Sequence, residues 1–173
     1  MLPTNVALLV VDVQAGFVGP GTRHVLPTIE RLMPQYTHII ATRFFNPPGS
    51  SFRRLIHWER FDREGADFPL AVDLPASATV IDKPEYTCVT PAFLELLRRR
   101  EVTEVHVCGI DTDVCVTKCA VDLFENGFRP VVLGFACASN GGHEYHKAAL
   151  KILIRCIGRE QVQADGTRKT SNG

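Results

Sequence analysis

The sequence has no excess charge of either sign and no long apolar run. Its 19 Lys and Arg residues balance 19 Asp and Glu residues, so no net basic field would attract a nucleic-acid backbone. No apolar stretch approaches the ~20 residues that span a bilayer. The first residues, MLPTNVALLVVD, lack the basic start and the small-residue cleavage site of a signal peptide. We therefore expect a cytoplasmic protein that binds neither nucleic acid nor a membrane.

Paired metal-binding and nucleotide-binding motifs are also missing. None of the six cysteines forms a C-x-x-C pair, and without a secretion signal we expect reduced thiols. Cys115 and Cys119 are spaced as neighbours on a helix, but no second cysteine pair or histidine cluster completes a zinc site. The segment GPGTRH lacks the third glycine of the dinucleotide-binding fingerprint. The sequence therefore predicts no metal and no cofactor.

Short apolar runs alternate with helical patterns along the chain. The runs are typical of strands that are buried on both faces, and they read VALLVVDV, HIIATRFF, ATVIDK, EVHVCGI and RPVVLGF. Helical patterns cover roughly residues 23–35, 91–100, 113–126 and 142–156. This alternation predicts one α/β domain over residues 1–164, with a parallel sheet between helices, and a polar tail over residues 165–173.

Three ionisable side chains follow the predicted strands. Asp12 ends the first run, Lys83 ends the third, and Cys115 follows the fourth at the start of a helix. Because ligands of open parallel sheets bind outside the carboxyl ends of the strands, we expect these three residues to converge. A thiol near an ammonium and a helix N-terminus is expected to have a lowered pKa. The trio predicts nucleophilic acyl transfer, whereas the alternative is that Cys115 is a small buried hydrophobe.

Three segments, in the same order, carry a resemblance to a known family: LLVVDVQAGF, IDKPEYT, and VHVCGIDTDVCVTKCAVDLFENGFRPVVLGFACAS followed by HEYHKAAL. From Val6 to Ile157 the chain resembles the isochorismatase-like cysteine hydrolases, a family that includes nicotinamidases and N-carbamoylsarcosine amidohydrolases. The resemblance implies a three-layer α/β/α, Rossmann-like fold with a mostly parallel, roughly six-stranded sheet. It also implies a catalytic triad of Asp12, Lys83 and Cys115, and a homodimer or larger homo-oligomer.

The same resemblance implies further site features. It places a cis peptide bond between Ile110 and Asp111, and an oxyanion hole at the backbone N–H groups of Asp111 and Cys115. Gln14 and Phe17 match positions that line or shape the substrate pocket. In nicotinamidases of this family an Asp and a His follow the second strand as metal ligands. Here Phe44 and Asn46 stand near those places, so zinc-dependent hydrolysis is disfavoured.

The region between the second and third predicted strands is rich in aromatic residues and arginines. We expect Phe44 and Trp58 of this region to contact the substrate, together with Tyr86, which follows the third strand. Arg53, Arg54 and Arg60 suggest a planar or anionic ligand. The alternative is that these aromatic side chains belong to the core or to a dimer contact.

The resulting prediction is a metal-independent cysteine hydrolase that cleaves a C–N bond of a small amide, carbamoyl or ureido compound through a thioester. A vinyl-ether hydrolase is disfavoured because such relatives lack the cysteine. The remaining alternatives are a non-catalytic relative and a thiol redox protein that pairs Cys115 with Cys119, although a disulfide across one helical turn is strained. Cys88 is a further candidate to line the pocket.

Overall fold

The computed structural model describes residues 1–166, which form a six-stranded parallel sheet with flanking helices. The strands are β1 (Val6–Val11), β2 (His38–Phe44), β3 (Thr79–Lys83), β4 (Glu104–Ile110), β5 (Arg129–Ala138) and β6 (Val162–Gln163). Their order across the sheet is β3-β2-β1-β4-β5-β6. The predicted α/β fold is therefore confirmed. The predicted tail at residues 165–173 lies outside the described residues from position 167 onward.

Five α-helices connect these strands. They are α1 (Leu26–Leu32), α2 (Ser51–Ile56), α3 (Pro91–Arg99), α4 (Thr117–Glu125) and α5 (His143–Ile157). The sequence signals act as expected at several ends: the Thr90 side chain accepts a hydrogen bond from the Phe93 amide, and Gly127 follows α4 with a φ of 82°. No helix within residues 1–166 is long and apolar enough to cross a membrane.

Burial follows the position of each strand in the sheet. Every residue of the central strand β1 is buried, because β2 and β4 flank it and helices cover its faces. The prediction that all five runs are buried on both faces is wrong for β3. This strand is at the edge of the sheet, and Val80 is 42% exposed there. An edge strand has one neighbour and less cover than a central strand, so its apolar pattern overstates its burial.

The strand order creates the crevice in which a site can form. The chain moves from β1 outward through β2 to β3, then crosses back to β4 on the other side of β1. The carboxyl ends of β1 and β4 are therefore a topological switch point, where connections leave in opposite directions. Asp12 directly follows β1, and Lys83 is the last residue of β3, paired with Phe44 at the end of β2.

Candidate active site

Asp12, Lys83 and Cys115 meet at the carboxyl edge of the sheet. The Lys83 ammonium lies 2.7 Å from Oδ2 of Asp12 and 3.7 Å from Sγ of Cys115. All three residues are buried, with relative exposures of 0% for Asp12, 3% for Lys83 and 6% for Cys115. The fold thus brings a carboxylate, a cation and a thiol into one nearly dry site.

Thr42 orients the Asp12 carboxylate. Its hydroxyl donates a hydrogen bond to Oδ1 of Asp12 at 2.6 Å and accepts one from the Asp12 amide at 3.1 Å. Since Thr42 holds Oδ1, Oδ2 is left facing Lys83. Thr42 was not selected from the sequence, and the only signal for it is a polar residue inside the apolar run HIIATRFF.

Lys83 is held on several sides. Its ammonium also donates to the carbonyl oxygens of Glu85 at 2.8 Å and Tyr86 at 3.0 Å. Burial acts to lower the pKa of Lys83, but the Asp12 carboxylate and the neighbouring thiols raise it by more, so the net shift is upward. The lysine therefore stays charged and serves as a fixed positive centre between Asp12 and Cys115.

The structure corrects the expectation that the pKa of Cys115 is lowered. Burial raises the pKa of the Cys115 thiol well above its ordinary value, and the Asp12 carboxylate raises it further, while the Lys83 ammonium opposes both. The sequence showed the cation but could not show how dry the site is. The resting sulfur is a protonated thiol, and its attack on a carbonyl requires a base that takes its proton. Asp12, whose charge acts directly on the pKa of this thiol, is the neighbouring carboxylate that can serve as the base.

Cys115 lies in a single π-helical turn, Thr112–Val116, that leads directly into α4. The Ile110–Asp111 peptide bond before this turn is cis. The amides of Val114 and Val116 both donate to the carbonyl oxygen of Asp111, at 3.2 and 3.1 Å. These bonds fix the turn so that Asp111 and Cys115 lie on the same side, toward one cavity.

Gly109 allows β4 to reach this turn. Its φ is 124°, and a Cβ atom built at this position would lie 2.1 Å from the carbonyl oxygen of Val11. No side chain fits at that distance, so β4 can approach the end of β1 this closely only with glycine. The close approach brings the residue after β1, Asp12, near the turn after β4.

A small aromatic cavity of about 190 Å³ opens above Cys115. Its volume is below the range typical of drug-sized pockets, which suits a small ligand. Four of the predicted pocket residues line it: Phe17, Phe44, Trp58 and Tyr86. Phe52, another aromatic residue of the same region, also lines it, and three residues that the sequence did not indicate as pocket lining complete the wall: Ile56, Asp111 and Val114.

Phe52 and Ile56 come from the short helix α2, whose amphipathic pattern is too brief to indicate which face meets the site. The aromatic rings pack closely against each other. Phe44 and Trp58 are stacked, with ring centroids 5.5 Å apart, and Phe52 contacts Tyr86 edge-on at 4.9 Å. Phe61, in contrast, is buried and stacks against Phe17 from behind, with centroids 4.0 Å apart. The region is thus partly pocket wall and partly core.

Gln14 does not line the cavity, which corrects its prediction as a substrate contact. It is fully buried, and its side-chain Nε2 donates to the carbonyl oxygens of Phe44 at 3.0 Å and Phe68 at 2.8 Å. Its Oε1 accepts from the Phe44 amide at 2.6 Å. Gln14 therefore shapes the site by fixing the backbone of Phe44, and it has no free group for a ligand.

The arginines of the same region also lie outside the cavity. Arg53 pairs with Asp62 at 2.6 Å, Arg60 pairs with Asp67 at 2.9 Å, and Arg54 donates to a backbone carbonyl. None of them lines the space above Cys115. The expectation that arginines receive an anionic substrate there is therefore wrong, because these side chains instead hold together the loop that carries them.

The thiol nearest to Cys119 belongs to Cys88. The two sulfur atoms are 3.7 Å apart and fully buried, and Cys119 also faces the carbonyl oxygen of Tyr86 at 3.8 Å. Cys88 is a core residue here and does not line the cavity. A redox protein of the predicted kind would pair Cys115 with Cys119. In this fold the sulfur of Cys119 instead contacts that of Cys88.

Comparisons with known proteins find a matching family and similar structures. Residues 6–161 match the Isochorismatase domain family. The chain is 40% identical over 84 residues to an uncharacterised isochorismatase family protein of Bacillus subtilis, a match that covers 48% of this chain and 45% of that protein. It is 32% identical over 154 residues to the nicotinamidase/pyrazinamidase of Mycobacterium tuberculosis, covering 73% of this chain and 83% of that protein. The crystal structure of a Pyrococcus horikoshii pyrazinamidase in complex with zinc has the same fold, with a TM-score of 0.78 at 23% identity and coverage of 92% and 97%.

The residues of this chain do not fit such a zinc site. Within residues 1–166, no group of three or more His, Cys, Asp and Glu side chains is placed to hold a metal ion. Phe44 offers no ligand atom, and Asn46 uses its amide internally, donating to the Trp58 carbonyl at 2.6 Å and accepting from Ser50 at 2.5 Å. His57 is exposed at the end of α2. These residues therefore do not supply the His, Cys or carboxylate ligands of a zinc centre.

Proposed function

Because the chain belongs to the Isochorismatase domain family, we propose that it is a hydrolase that cleaves a C–N bond in a small amide, carbamoyl or ureido compound. The contact of one buried ammonium with both Asp12 and Cys115, at the base of an aromatic cavity, carries this proposal. The name of the Mycobacterium tuberculosis relative, a nicotinamidase/pyrazinamidase, supports the same bond type.

In the first half of the proposed reaction, Asp12 takes the proton of the Cys115 thiol while the sulfur attacks the substrate carbonyl. The Cys115 pKa is raised in the resting site, so this proton transfer accompanies attack and does not precede it. Backbone N–H groups of Asp111 and Cys115 would hold the developing oxyanion. Asp12 then passes the proton to the leaving nitrogen, and a thioester remains on Cys115.

In the second half, a water attacks the thioester and Asp12 accepts its proton. Collapse of the intermediate releases the acid and returns the proton to the sulfur, so the resting pair is restored. Lys83 keeps its charge throughout and stabilises the carboxylate and the anionic sulfur in turn. Besides the substrate and water, each step uses side chains and backbone N–H groups of this chain.

The test measures ammonia release from a panel of small aromatic and aliphatic amides with a coupled assay. We expect turnover by the unmodified protein and a loss of turnover of at least ~10³-fold in Cys115→Ala and in Asp12→Asn. Cys156→Ala should leave turnover unchanged, because Cys156 is an exposed cysteine with no part in the proposed reaction. Turnover that survives in Cys115→Ala, or no turnover of any C–N substrate class by the unmodified protein, would overturn the proposal.

A further inference from the structure

The cavity above Cys115 carries one fixed charge besides the catalytic groups. Its other lining residues, Cys115 apart, are aromatic or aliphatic, and Asp111 is the one among them that carries a carboxyl group. The arginines of the neighbouring loop pair elsewhere, with Asp62 and Asp67. The Lys83 ammonium is already committed to Asp12 and to two backbone carbonyls. An incoming ligand therefore meets aromatic rings and a negative group, and it meets no free cation among the lining residues.

Asp111 is anchored through one oxygen. Oδ1 accepts hydrogen bonds from the backbone amide of Asn140 at 2.7 Å and from its side-chain Nδ2 at 2.9 Å. The same Nδ2 donates to the carbonyl oxygen of Phe17 at 3.1 Å, so Asn140 ties the carboxyl group to an aromatic wall of the cavity. Oδ2 makes no hydrogen bond to another residue within the described part of the chain. Asn140 thus holds one carboxylate oxygen in place and leaves the other without a hydrogen bond to a described residue.

Aromatic faces attract cations because the ring quadrupole is negative on its faces. The cavity presents Phe17, Phe44, Phe52, Trp58 and Tyr86 around a volume of about 190 Å³. The combination of several aromatic rings with one carboxylate is the chemistry that recognises ammonium, quaternary nitrogen or amidinium groups. It disfavours an anionic ligand, which Asp111 would repel.

We propose that Asp111 is a specificity-determining residue and that the site selects small amides bearing a positively charged nitrogen group. The carboxylate meets the positive group, the rings of Phe17 and Trp58 flank it, and the carboxamide is directed toward Cys115. The assignment of the carboxamide end rests on the proposed function, whereas the preference for a cation rests on the lining of the cavity alone.

The carboxyl group of Asp111 is mostly ionised at neutral pH. Burial raises the pKa of Asp111 to about 6, with the Asn140 hydrogen bonds lowering it and the charges of Asp113 and Asp12 raising it. At neutral pH most molecules therefore carry the charge. The charged and titratable side chains near it are Asp113, Asp12, Cys115 and Lys83, whose ammonium is paired with Asp12 at 2.7 Å. From helix α5, His146 contacts the Thr112 hydroxyl at 2.8 Å, and burial lowers the pKa of His146, so it is neutral at pH 7.5.

The experiment compares the binding of two ligands of nearly identical shape. 1-Methylnicotinamide carries a ring cation, and 3-methylbenzamide replaces it with a neutral carbon. Affinities are measured by calorimetry on the full chain carrying Cys115→Ala, which prevents turnover, and by the fluorescence of Trp58, the single tryptophan. We expect the cation to bind at least ~10-fold more tightly at pH 7.5, and 3-carbamoylbenzoate to bind more weakly than either.

Two carboxylates of the same turn give a matched pair of variants. Asp111→Asn keeps the shape and the Asn140 contacts, and it should reduce the ratio of the two affinities to below ~3. Asp113→Asn removes one charge from the same turn outside the cavity lining, and it should leave the ratio near its original value. Equal affinity for the two ligands in the parent protein, or equal loss of the ratio in both variants, would overturn the proposal.

A pH titration tests the same point without altering Asp111. The preference for the cation should weaken as pH falls through about 6, where the carboxyl group becomes protonated; a preference that is constant from pH 5 to 8 would contradict the role of Asp111. Ammonia release by the unmodified protein separates the two proposals. Preferential cation binding with no hydrolysis would refute only the proposed function. Hydrolysis of neutral amides with no preference for the cation would refute only this inference.

Discussion

The ammonium of Lys83 and the carboxylate of Asp12 form an ion pair of 2.7 Å that is almost completely closed to solvent. A buried charge without a partner is costly, so each of these residues depends on the other for its place in the fold. The pair arises from residues at the ends of β1 and β3, with β2 between them. It joins the stability of the sheet edge to the chemistry proposed for Cys115.

Replacing Lys83 with Met should lower the free energy of unfolding by about 3–5 kcal/mol, because Asp12 is then left as an unpaired buried carboxylate. Urea unfolding at pH 7 measures the change. Lys147→Met is the matched control: its pairing with Glu144 is exposed, and its loss should cost less than ~0.5 kcal/mol. Adding Asp12→Asn to Lys83→Met should restore part of the lost unfolding free energy. A double variant that loses more unfolding free energy than the two single variants together would contradict this reasoning.

Alkylation of Cys115 by iodoacetamide should be slow at neutral pH. Burial raises the pKa of this thiol well above its ordinary value, so little thiolate exists in the resting site. Mass spectrometry of peptides across pH 6–10 should show Cys156, the exposed cysteine, reacting sooner than Cys115, with the Cys115 rate increasing toward alkaline pH. Rapid and selective reaction of Cys115 below pH 7 would mean that the thiolate forms without substrate, contrary to the role given to Asp12.

Asp111 should make the protein less stable at neutral pH than at mildly acidic pH. Its pKa is raised to about 6 in the folded state from 3.8, so the folded state holds the proton more tightly than the unfolded chain does. The contribution of this group to stability is therefore present below about pH 4 and is lost as pH rises through 6. Asp111→Asn should stabilise the fold by on the order of 1 kcal/mol at pH 7.5, and the difference should vanish at pH 3.5.

Thermal or urea unfolding of both proteins at the two pH values checks this prediction. Asp113→Asn, whose carboxyl group is in the same turn, serves as the control for a general loss of negative charge. A stabilisation by Asp111→Asn that is as large at pH 3.5 as at pH 7.5 would show that the effect is unrelated to ionisation.

Gly109→Ala should disrupt the site through the backbone. The new Cβ would lie 2.1 Å from the Val11 carbonyl oxygen at a φ of 124°, so β4 must move away from β1 at the point where Asp12 and the Cys115 turn meet. We expect a loss of at least ~3 kcal/mol in unfolding free energy. Gly127→Ala is the control, since Gly127 has a φ of 82° and no atom within 4 Å of the added Cβ; it should cost only about 1 kcal/mol. Equal losses would rule out a specific clash.

The sequence predicted the elements that periodicity and strand-end position determine. The alternation of apolar runs and helical patterns predicted the parallel sheet, and the strand ends predicted that Asp12, Lys83 and Cys115 converge. The residues that support them were harder to see. Thr42 is one hydroxyl in an apolar strand, and only the register of β2 against β1 shows that it faces Asp12.

The main errors of the sequence-based predictions concern the sign of the charge at the cavity and the direction of the Cys115 pKa shift. Arginines near the site suggest an anionic ligand, but Arg53 and Arg60 pair with Asp62 and Asp67, and the charged residue that lines the cavity is Asp111. Likewise, a nearby lysine suggested a lowered pKa for Cys115, whereas burial has the larger effect. Both errors have one cause: a sequence shows which charges are present but gives neither the pairing nor the burial of each side chain.

The most direct test of the account is whether an acyl group resides on Cys115 during turnover. The protein is mixed with an amide that it hydrolyses, quenched in acid within milliseconds to seconds, and digested for mass spectrometry. We predict that the peptide containing Cys115 gains the mass of the substrate acyl group, that hydroxylamine removes this label, and that Asp12→Asn abolishes it. Continued ammonia release with no label on Cys115, or a label on another cysteine, would contradict the central claim that this thiol is the nucleophile.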